Sequence, residues 1–218
     1  MTTDPTITAI KPLSTDPFRV SVRVGRKKVA TLTLDHVRDL KLRVHMDWTE
    51  DLAERVAVLA AREQAFLDAL RIVRRRAVGT EELRRKLQRK QHVEGDIAAA
   101  LERLIDVGYL NDQNYAESVV RHEMARKAAG PRLLRAKLYQ KNLPRELINE
   151  VVDAVDDEAD HLAAATQLAE KKLKTTAMQK ADAATRQRRL FSLLARRGFD
   201  SDTIRKTLSH VLPNEPRT

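Results

Sequence analysis

Arginine and lysine recur in three stretches of the chain, and side chains of this type and density can bind phosphate groups. The candidate binding residues are Arg84, Arg85, Arg89, Lys90, Arg132, Arg135, Lys137, Lys141, Arg188, Arg189, Arg196 and Arg197. Their chemistry is the electrostatic binding of a polyanion, either a nucleic acid or a nucleoprotein surface. Lys90, Lys141 and Arg197 have a second interpretation, because a cation at the C-terminal end of a helix stabilises the helix dipole.

Pairs of leucines accompany the three stretches of cations. They are Leu83/Leu87, Leu134/Leu138 and Leu190/Leu194. The second pair follows the first by 51 residues, and the third follows the second by 56. Because residues four apart lie on one face of a helix, each pair predicts a helix with a buried side. A period of about fifty residues predicts tandem helical units that pack on one another.

The elements that position these residues fall into four predicted domains. Strand-like alternation over 18–24 and 29–34, on either side of Gly25, predicts a hairpin, and a further strand is predicted over 7–10. The predicted domains are 1–48, a β-rich N-terminal extension; 49–110, the first three-helix repeat; 111–157, the second; and 158–218, the third repeat and tail. The predicted fold is mainly α, with three tandem helix-turn-helix-like repeats that form an elongated array behind a small β-hairpin region.

The predicted helices have long, medium and short lengths in each repeat. Their ranges are 49–76, 80–90 and 95–107; then 111–129, 131–141 and 144–156; then 158–176, 181–197 and 201–212. A short helix is also predicted over 35–40, Thr80 is the predicted cap of its helix, and the tail from Pro213 is expected to fray.

Three helices per unit also suggest a helix-turn-helix protein, whose third helix enters the DNA major groove. The acidic charge of the third helices argues against that interpretation. Residues 94–107 contain four acidic side chains and one basic one, and residues 145–156 have the same balance. Carboxylates repel phosphates, so we expect DNA binding to be weak, independent of base sequence and carried by the second helices.

Composition argues against several other classes of protein. The net charge is +10, and the chain has no cysteine, so it can form neither disulfides nor thiolate metal sites. The six histidines are scattered, and neither a phosphate-binding glycine loop nor a Gly-x-Ser-x-Gly motif is present. We therefore expect no enzyme activity, no cofactor and no metal. Without a long apolar run or a signal peptide, the expected protein is a cytoplasmic monomer with no membrane contact.

Two segments carry a resemblance to a known family. Residues 108–116 read Gly-Tyr-Leu-Asn-Asp-x-x-Tyr-Ala, and the segment from Gly130 to Leu143 reads Gly-Pro-x-x-Leu-x-x-x-Leu-x-x-Lys-x-Leu. Together they resemble the signature of the RecX regulatory proteins. Residues 80–90 resemble the first-repeat motif of that family, and residues 7–12 look like the N-terminal extension of its longer members. The resemblance covers about residues 7–212.

The resemblance implies a bacterial modulator of the RecA recombinase. RecX proteins lie in the groove of the RecA filament on single-stranded DNA, where they limit filament growth and RecA's ATPase, strand-exchange and coprotease activities. The expected role is therefore inhibition of RecA in DNA repair, recombination and the SOS response, with weak, non-specific contact to single-stranded DNA. The alternative is a stand-alone, non-specific DNA-binding helical-repeat protein. The resemblance assigns no contacts, so the candidate cations rest on the charge pattern alone.

Overall fold

The computed structural model describes residues 5–126, 128–155 and 157–212. It opens with an antiparallel sheet of three strands, β1 (Ile7–Leu13), β2 (Asp16–Val24) and β3 (Lys27–Thr33), with β2 in the centre. Gly25 lies in the tight turn between β2 and β3 with a φ of +57°, which glycine adopts without steric cost. β1 continues through Pro12, beyond its predicted end, because an edge strand tolerates a missing N–H group.

Eleven helices follow in the described residues. The first four are α1 (Leu34–Asp39), α2 (Glu50–Val73), α3 (Thr80–Arg89) and α4 (Glu94–Asp106). The next three are α5 (Asp112–Arg126), α6 (Pro131–Tyr139) and α7 (Arg145–Asp153). The last four are α8 (Glu158–Leu173), α9 (Thr176–Gln179), α10 (Ala183–Arg196) and α11 (Ser201–Val211). The predicted fold class, mainly helical three-helix repeats after a small sheet, is confirmed. The predicted tail from Pro213 lies outside the described residues.

The chain folds as two compact units, one that ends at Leu110 and one that begins at Asn111. In the first unit the sheet packs on the N-terminal half of α2. Val22 and Leu32 of the sheet and Leu52 and Val56 of α2 are buried together in one apolar cluster. A sheet of three short strands buries too little surface to be stable alone, so α2 supplies the other half of its core.

A buried glutamate joins the sheet to the helices of the first unit. Glu63 of α2 is only 2% exposed, and its carboxylate accepts hydrogen bonds from Arg19 of β2 at 2.6 Å and from Arg103 of α4 at 3.1 Å. The Arg103 guanidinium also lies 3.8 Å from the centre of the Phe66 ring, a favourable cation–π contact. Asp16 is a second ion-pair partner of Arg19. Glu63 therefore connects a strand and two helices.

Replacing Glu63 with glutamine is expected to lower the free energy of unfolding by about 2 kcal/mol. The amide keeps the shape of the side chain but removes a negative charge that pairs with both Arg103 and Arg19, the latter only 9% exposed. Urea unfolding followed by circular dichroism measures the change. Glu54→Gln on the same helix is the matched control, because Glu54 is exposed and its loss should change stability by less than about 0.5 kcal/mol. Equal stability of the two variants would contradict a role for the Glu63 charge.

The repeated leucine pairs form the buried faces of the second helices. Leu83, Leu87, Leu134, Leu138, Leu190 and Leu194 are all between 0% and 1% exposed. Each pair packs inside its own repeat, with α2 and α4 around α3, with α5 and α7 around α6, and with α8 and α11 around α10. The predicted core positions are thus confirmed.

Two further local predictions differ from the structure. Gly79, and not Thr80, is the N-cap of α3, because the extended backbone at Gly79 precedes the first helical residue, Thr80. The connector predicted after the first helix of the third repeat contains the short helix α9, which places Met178 in the core beside Ala169 and Leu190. Burial of that methionine explains why the connector folds into a helical turn.

Two glycines bring the second and third repeats together within the second unit. The Gly130 N–H donates to the carbonyl of Arg197 at 2.8 Å, and the Arg132 N–H donates to the carbonyl of Gly198 at 3.2 Å. Gly198 has a φ of +81° and follows α10, while Gly130 is the N-cap of α6. A Cβ on Gly130 would lie 2.5 Å from the carbonyl carbon of Gly198, so the backbones touch where side chains are absent. We call this contact the Gly130–Gly198 joint.

Candidate nucleic-acid interface

The cations of α3 divide into paired and unpaired groups. Arg84 forms ion pairs with Glu81 at 3.2 Å and with Glu94. Lys90 lies 3.5 Å from the carboxylate of Asp68. Arg85 and Arg89 are exposed, and neither has an ion-pair partner in the described part of the chain. These two arginines are the α3 cations available to another molecule.

The cations of α6 divide in the same way. Arg135 is half-buried and pairs with Asp153 at the end of α7. Arg132 is exposed, and Lys137 and the following Lys141 are half-buried. Within the described ranges these three have no carboxylate partner. Arg132 and Lys137 are thus the strongest candidates on this helix.

The cations of α10 are the least neutralised. Arg188, Arg189 and Arg196 are exposed, and no carboxylate among the described residues pairs with them. Arg197 differs, because it is half-buried and its Nε donates to the carbonyl oxygen of Ala128 at 2.8 Å. Arg197 therefore supports the Gly130–Gly198 joint rather than the exposed surface.

The acidic third helices supply part of this neutralisation. Glu94 at the start of α4 binds Arg84, and Asp153 at the end of α7 binds Arg135. The sequence shows these carboxylates but not their partners, since the pairs are 10 and 18 residues apart. Arg84 and Arg135 are consequently less available to another molecule than the sequence suggests.

Two carboxylates of the first repeat, the buried Asp68 and the half-buried Glu82, pair with Lys90 and Lys86. Burial raises the pKa of Asp68, but the hydrogen bond with His92 and the charges of Lys90 and Arg71 outweigh it, so the pKa lies below its usual value. Burial also raises the pKa of Glu82, but the hydrogen bonds and charges of Arg76 and Lys86 outweigh it, so this pKa too lies below its usual value. A depressed carboxyl pKa stabilises the fold at neutral pH, and that contribution is lost as the pH falls through the folded-state pKa. Lys86 and Lys90 are therefore partly structural.

Exposed aromatic rings occur on two of the helices that carry candidate cations. Tyr139 in α6 is 46% exposed, and Phe191 in α10 is 49% exposed. Tyr109, which follows α4, is 59% exposed. Aromatic rings next to basic side chains suit single-stranded nucleic acids, whose bases stack on them. Sequence reasoning did not single out Phe191, although its place three residues after Arg188 was a usable signal.

No group of three or more metal-binding side chains occurs among the residues that the structure describes. None of the described helices is long and apolar enough to cross a membrane.

Comparison with known proteins matches family models to two of the repeats. Residues 111–152 match the second three-helix domain of RecX, and residues 158–208 match the third. Two solved structures share the fold. The crystal structure of a regulatory protein RecX has a TM-score of 0.76 at 18% identity and covers 97% of this chain and 100% of that one. The crystal structure of RecX from Lactobacillus salivarius has a TM-score of 0.64 at 22% identity, and the match covers 70% of this chain and 97% of that one.

The fold defines a class, the helical-repeat proteins built from small three-helix domains. A regulatory protein RecX of Chlorobium phaeobacteroides is 33% identical over 68% of this chain and 94% of the relative. A regulatory protein RecX of Chlorobaculum tepidum is 35% identical over 71% of this chain and 92% of the relative. One of Mycolicibacterium vanbaalenii is 31% identical over 77% of this chain and 92% of the relative. The chain belongs to the RecX family.

Proposed function

We propose that this protein binds the filament that the RecA recombinase forms on single-stranded DNA and inhibits it. The inhibition limits filament growth and RecA's ATPase, strand-exchange and coprotease activities in DNA repair and the SOS response. Membership of the RecX family supports RecA as the partner. The observation that carries the mechanism is the recurrence of exposed cations on α3, α6 and α10, because a RecA filament contains a continuous line of DNA phosphates.

The proposed filament-facing surface consists of the candidate cations that lack a carboxylate partner in the described ranges. They are Arg85, Arg89, Arg132, Lys137, Lys141, Arg188, Arg189 and Arg196. Arg84, Lys90, Arg135 and Arg197 are engaged within the chain, so we give them a supporting role. The remaining proposals are a cytoplasmic monomer that regulates without catalysis or cofactor, and domain limits at residues 49, 111 and 158.

Reversing four of these cations to glutamate should abolish most of the inhibition. The variant carries Arg85→Glu, Arg89→Glu, Arg132→Glu and Lys137→Glu, which lie on α3 and α6. Negative charges repel the phosphates that the parent attracts, so the concentration for half-inhibition of RecA's ATPase on single-stranded DNA should rise at least about tenfold. Added salt should weaken the parent in the same direction.

The control for this experiment reverses four exposed arginines that already pair with carboxylates, with the same change in net charge. It carries Arg38→Glu, Arg55→Glu, Arg121→Glu and Arg205→Glu. We expect the control to inhibit RecA nearly as well as the parent, and both variants to keep their helicity. Full inhibition by the folded test variant would show that the contacts lie elsewhere.

The alternative function, stand-alone and non-specific DNA binding, draws support from Arg188, Arg189 and Arg196 of α10, for which the described residues provide no carboxylate partner. The two functions differ in their response to RecA. If DNA alone is bound as tightly as the RecA filament, with the same dependence on salt, the stand-alone function is favoured. If the filament is bound more tightly, a protein surface contributes and the regulatory function is favoured.

A further inference from the structure

An open cavity of about 410 Å³ lies beside α10 in the third repeat. Its lining residues are Lys172, Arg188, Arg189, Ser192, Leu193 and Arg196. Lys172 comes from α8 and the others come from α10. Four cations therefore converge on one concave surface, with a serine hydroxyl among them.

These four positive charges have no carboxylate partner among the described residues, whereas each of the first two repeats has candidate cations that are paired with carboxylates. None of Lys172, Arg188, Arg189 and Arg196 has a carboxylate within 4.0 Å in the described residues. By contrast, Arg84 and Arg135 in the first two repeats pair with acids of the third helices. Like charges held together repel one another, and an anion bound between them removes that repulsion.

Asp182, the N-cap of α10, is an acidic group close enough to interact electrostatically with Arg188. Its pKa is lowered first by the backbone N–H of Thr185 and more weakly by Arg188. Its oxygens already accept the Thr185 N–H at 2.7 Å and the Thr185 hydroxyl at 2.9 Å. Asp182 is therefore committed to capping the helix, and it does not form an ion pair with Arg188.

The geometry of α10 sets the cations in place. Arg188, Ser192 and Arg196 are spaced four residues apart and lie on one face of the helix. Arg189 is anchored by its Nη1, which donates to the carbonyl of Ala177 at 3.1 Å. This bond orients the guanidinium and leaves its other donors available.

An exposed ring flanks the cationic face. Phe191 is 49% exposed and follows Arg188 by three residues, so the two side chains are neighbours on the helix surface. A ring of this kind stacks on a base that is not already stacked in a duplex. An acidic protein surface offers no such base, and the combination of cations and ring therefore favours a single strand.

We propose that the cavity lined by Lys172, Arg188, Arg189 and Arg196 binds the phosphodiester backbone of single-stranded nucleic acid, with Phe191 stacked on an adjacent base. The proposal deepens the proposed function and rests on it in one respect, since it assigns the contact with the strand to the third repeat. Binding is independent of base sequence, because phosphates and ring faces are common to all nucleotides.

Fluorescence anisotropy with a labelled oligothymidine tests the site on the full chain without RecA. The variant Arg188→Gln, Arg189→Gln, Arg196→Gln should bind at least about tenfold more weakly at 50 mM salt, and its log–log salt slope should fall by about 2. Phe191→Leu should weaken binding about tenfold while leaving the salt slope unchanged, since it removes stacking and no charge. Because Arg189 has a structural hydrogen bond, the double variant Arg188→Gln, Arg196→Gln serves if the triple variant is misfolded.

The matched control is Arg38→Gln, Arg55→Gln, Arg121→Gln, which removes the same number of exposed arginines from sites with carboxylate partners. It should bind oligothymidine like the parent. Equal losses in the control and the test variant would overturn the proposal, because net charge alone would then explain the binding. Competition by polyglutamate as strong as by unlabelled oligothymidine would overturn it in favour of an acidic protein. Displacement by inorganic phosphate at submillimolar concentration would instead identify a site for the free anion.

The same variants, assayed on RecA's ATPase, separate this proposal from the proposed function. If the parent binds oligothymidine through the cavity and does not inhibit RecA, the site stands and the RecA function fails. If the parent inhibits RecA but the triple variant binds oligothymidine as the parent does, the RecA function stands and the site fails.

Discussion

Replacing Gly130 with alanine is expected to lower the free energy of unfolding of the second unit by about 4 kcal/mol. The backbone of Gly130 has an ordinary φ of −83°, so the cost comes only from the new methyl group. That group would overlap the backbone of Gly198 and Phe199, which cannot rotate away as a flexible side chain would. Urea unfolding followed by circular dichroism measures the effect, and the melting temperature of this unit should fall by roughly 16–32 °C.

Two other glycines test the explanation. Gly198→Ala should be at least as damaging, because it adds an unfavourable φ of +81° to an overlap with the backbone of Leu133. Gly95→Ala is the control, since a Cβ there meets nothing within 4 Å and alanine favours the helix. It should leave stability unchanged or raise it by up to about 1 kcal/mol. If Gly130→Ala and Gly95→Ala have the same stability, the close approach at the Gly130–Gly198 joint is wrong.

Replacing Leu138 with aspartate is expected to cost about 5 kcal/mol and to unfold much of the second repeat at 37 °C. Leu138 is completely buried in α6 and lies in a cluster with Leu134, Leu143 and Ile148. The substitution removes apolar contacts and places a carboxylate where the surrounding side chains offer it no hydrogen bond. Hydrogen exchange of α5, α6 and α7, together with thermal melting, measures the loss.

The control for Leu138 lies two residues earlier in the same helix. Ala136 is exposed, so Ala136→Asp changes the charge and helix propensity equally without entering the core. Its cost should stay below about 1 kcal/mol. A Leu138→Asp variant that melts like the parent would mean that the repeated leucines are not the internal face of their helices.

The elements of this fold could be predicted from the sequence because they depend on neighbouring residues. Alternating apolar residues predict the strands, and the leucines four residues apart predict the buried face of each second helix. The 51-residue offset between Leu83 and Leu134 predicts that units of the same kind recur. All of this information is local or periodic, and it is sufficient for the fold class.

The partners of the charged residues could not be predicted in this way. Arg84 meets Glu94, and Arg135 meets Asp153, only after separate helices have packed against each other. Helical periodicity shows which face a residue occupies but not which residue lies opposite. The candidate surface therefore included cations that are paired within the chain, and it gave the third repeat no special place.

The backbone contact between Gly130 and Gly198 could not be predicted from the sequence either. Gly130 and Gly198 are widely separated in sequence, and each has a sufficient local explanation as a helix cap. Their close approach depends on how two repeats pack, so no local sequence motif predicts it. The α9 turn is similar, since only the burial of Met178 explains it.

The ion pairs of Glu63 with Arg19 and Arg103 affect how a shorter protein could be made from these repeats. In repeat proteins each module contacts only its neighbours, mainly through an apolar face. Here the sheet also donates a charge, since Arg19 supplies part of the counter-charge for a carboxylate inside the adjacent helical repeat. Among the described residues, excising the sheet would leave Arg103 as the cation in contact with Glu63, and it would uncover the apolar side of α2. The β-rich extension is thus an electrostatic component of the first repeat, and any minimal RecX-like module designed from this chain has to begin with it or redesign Glu63.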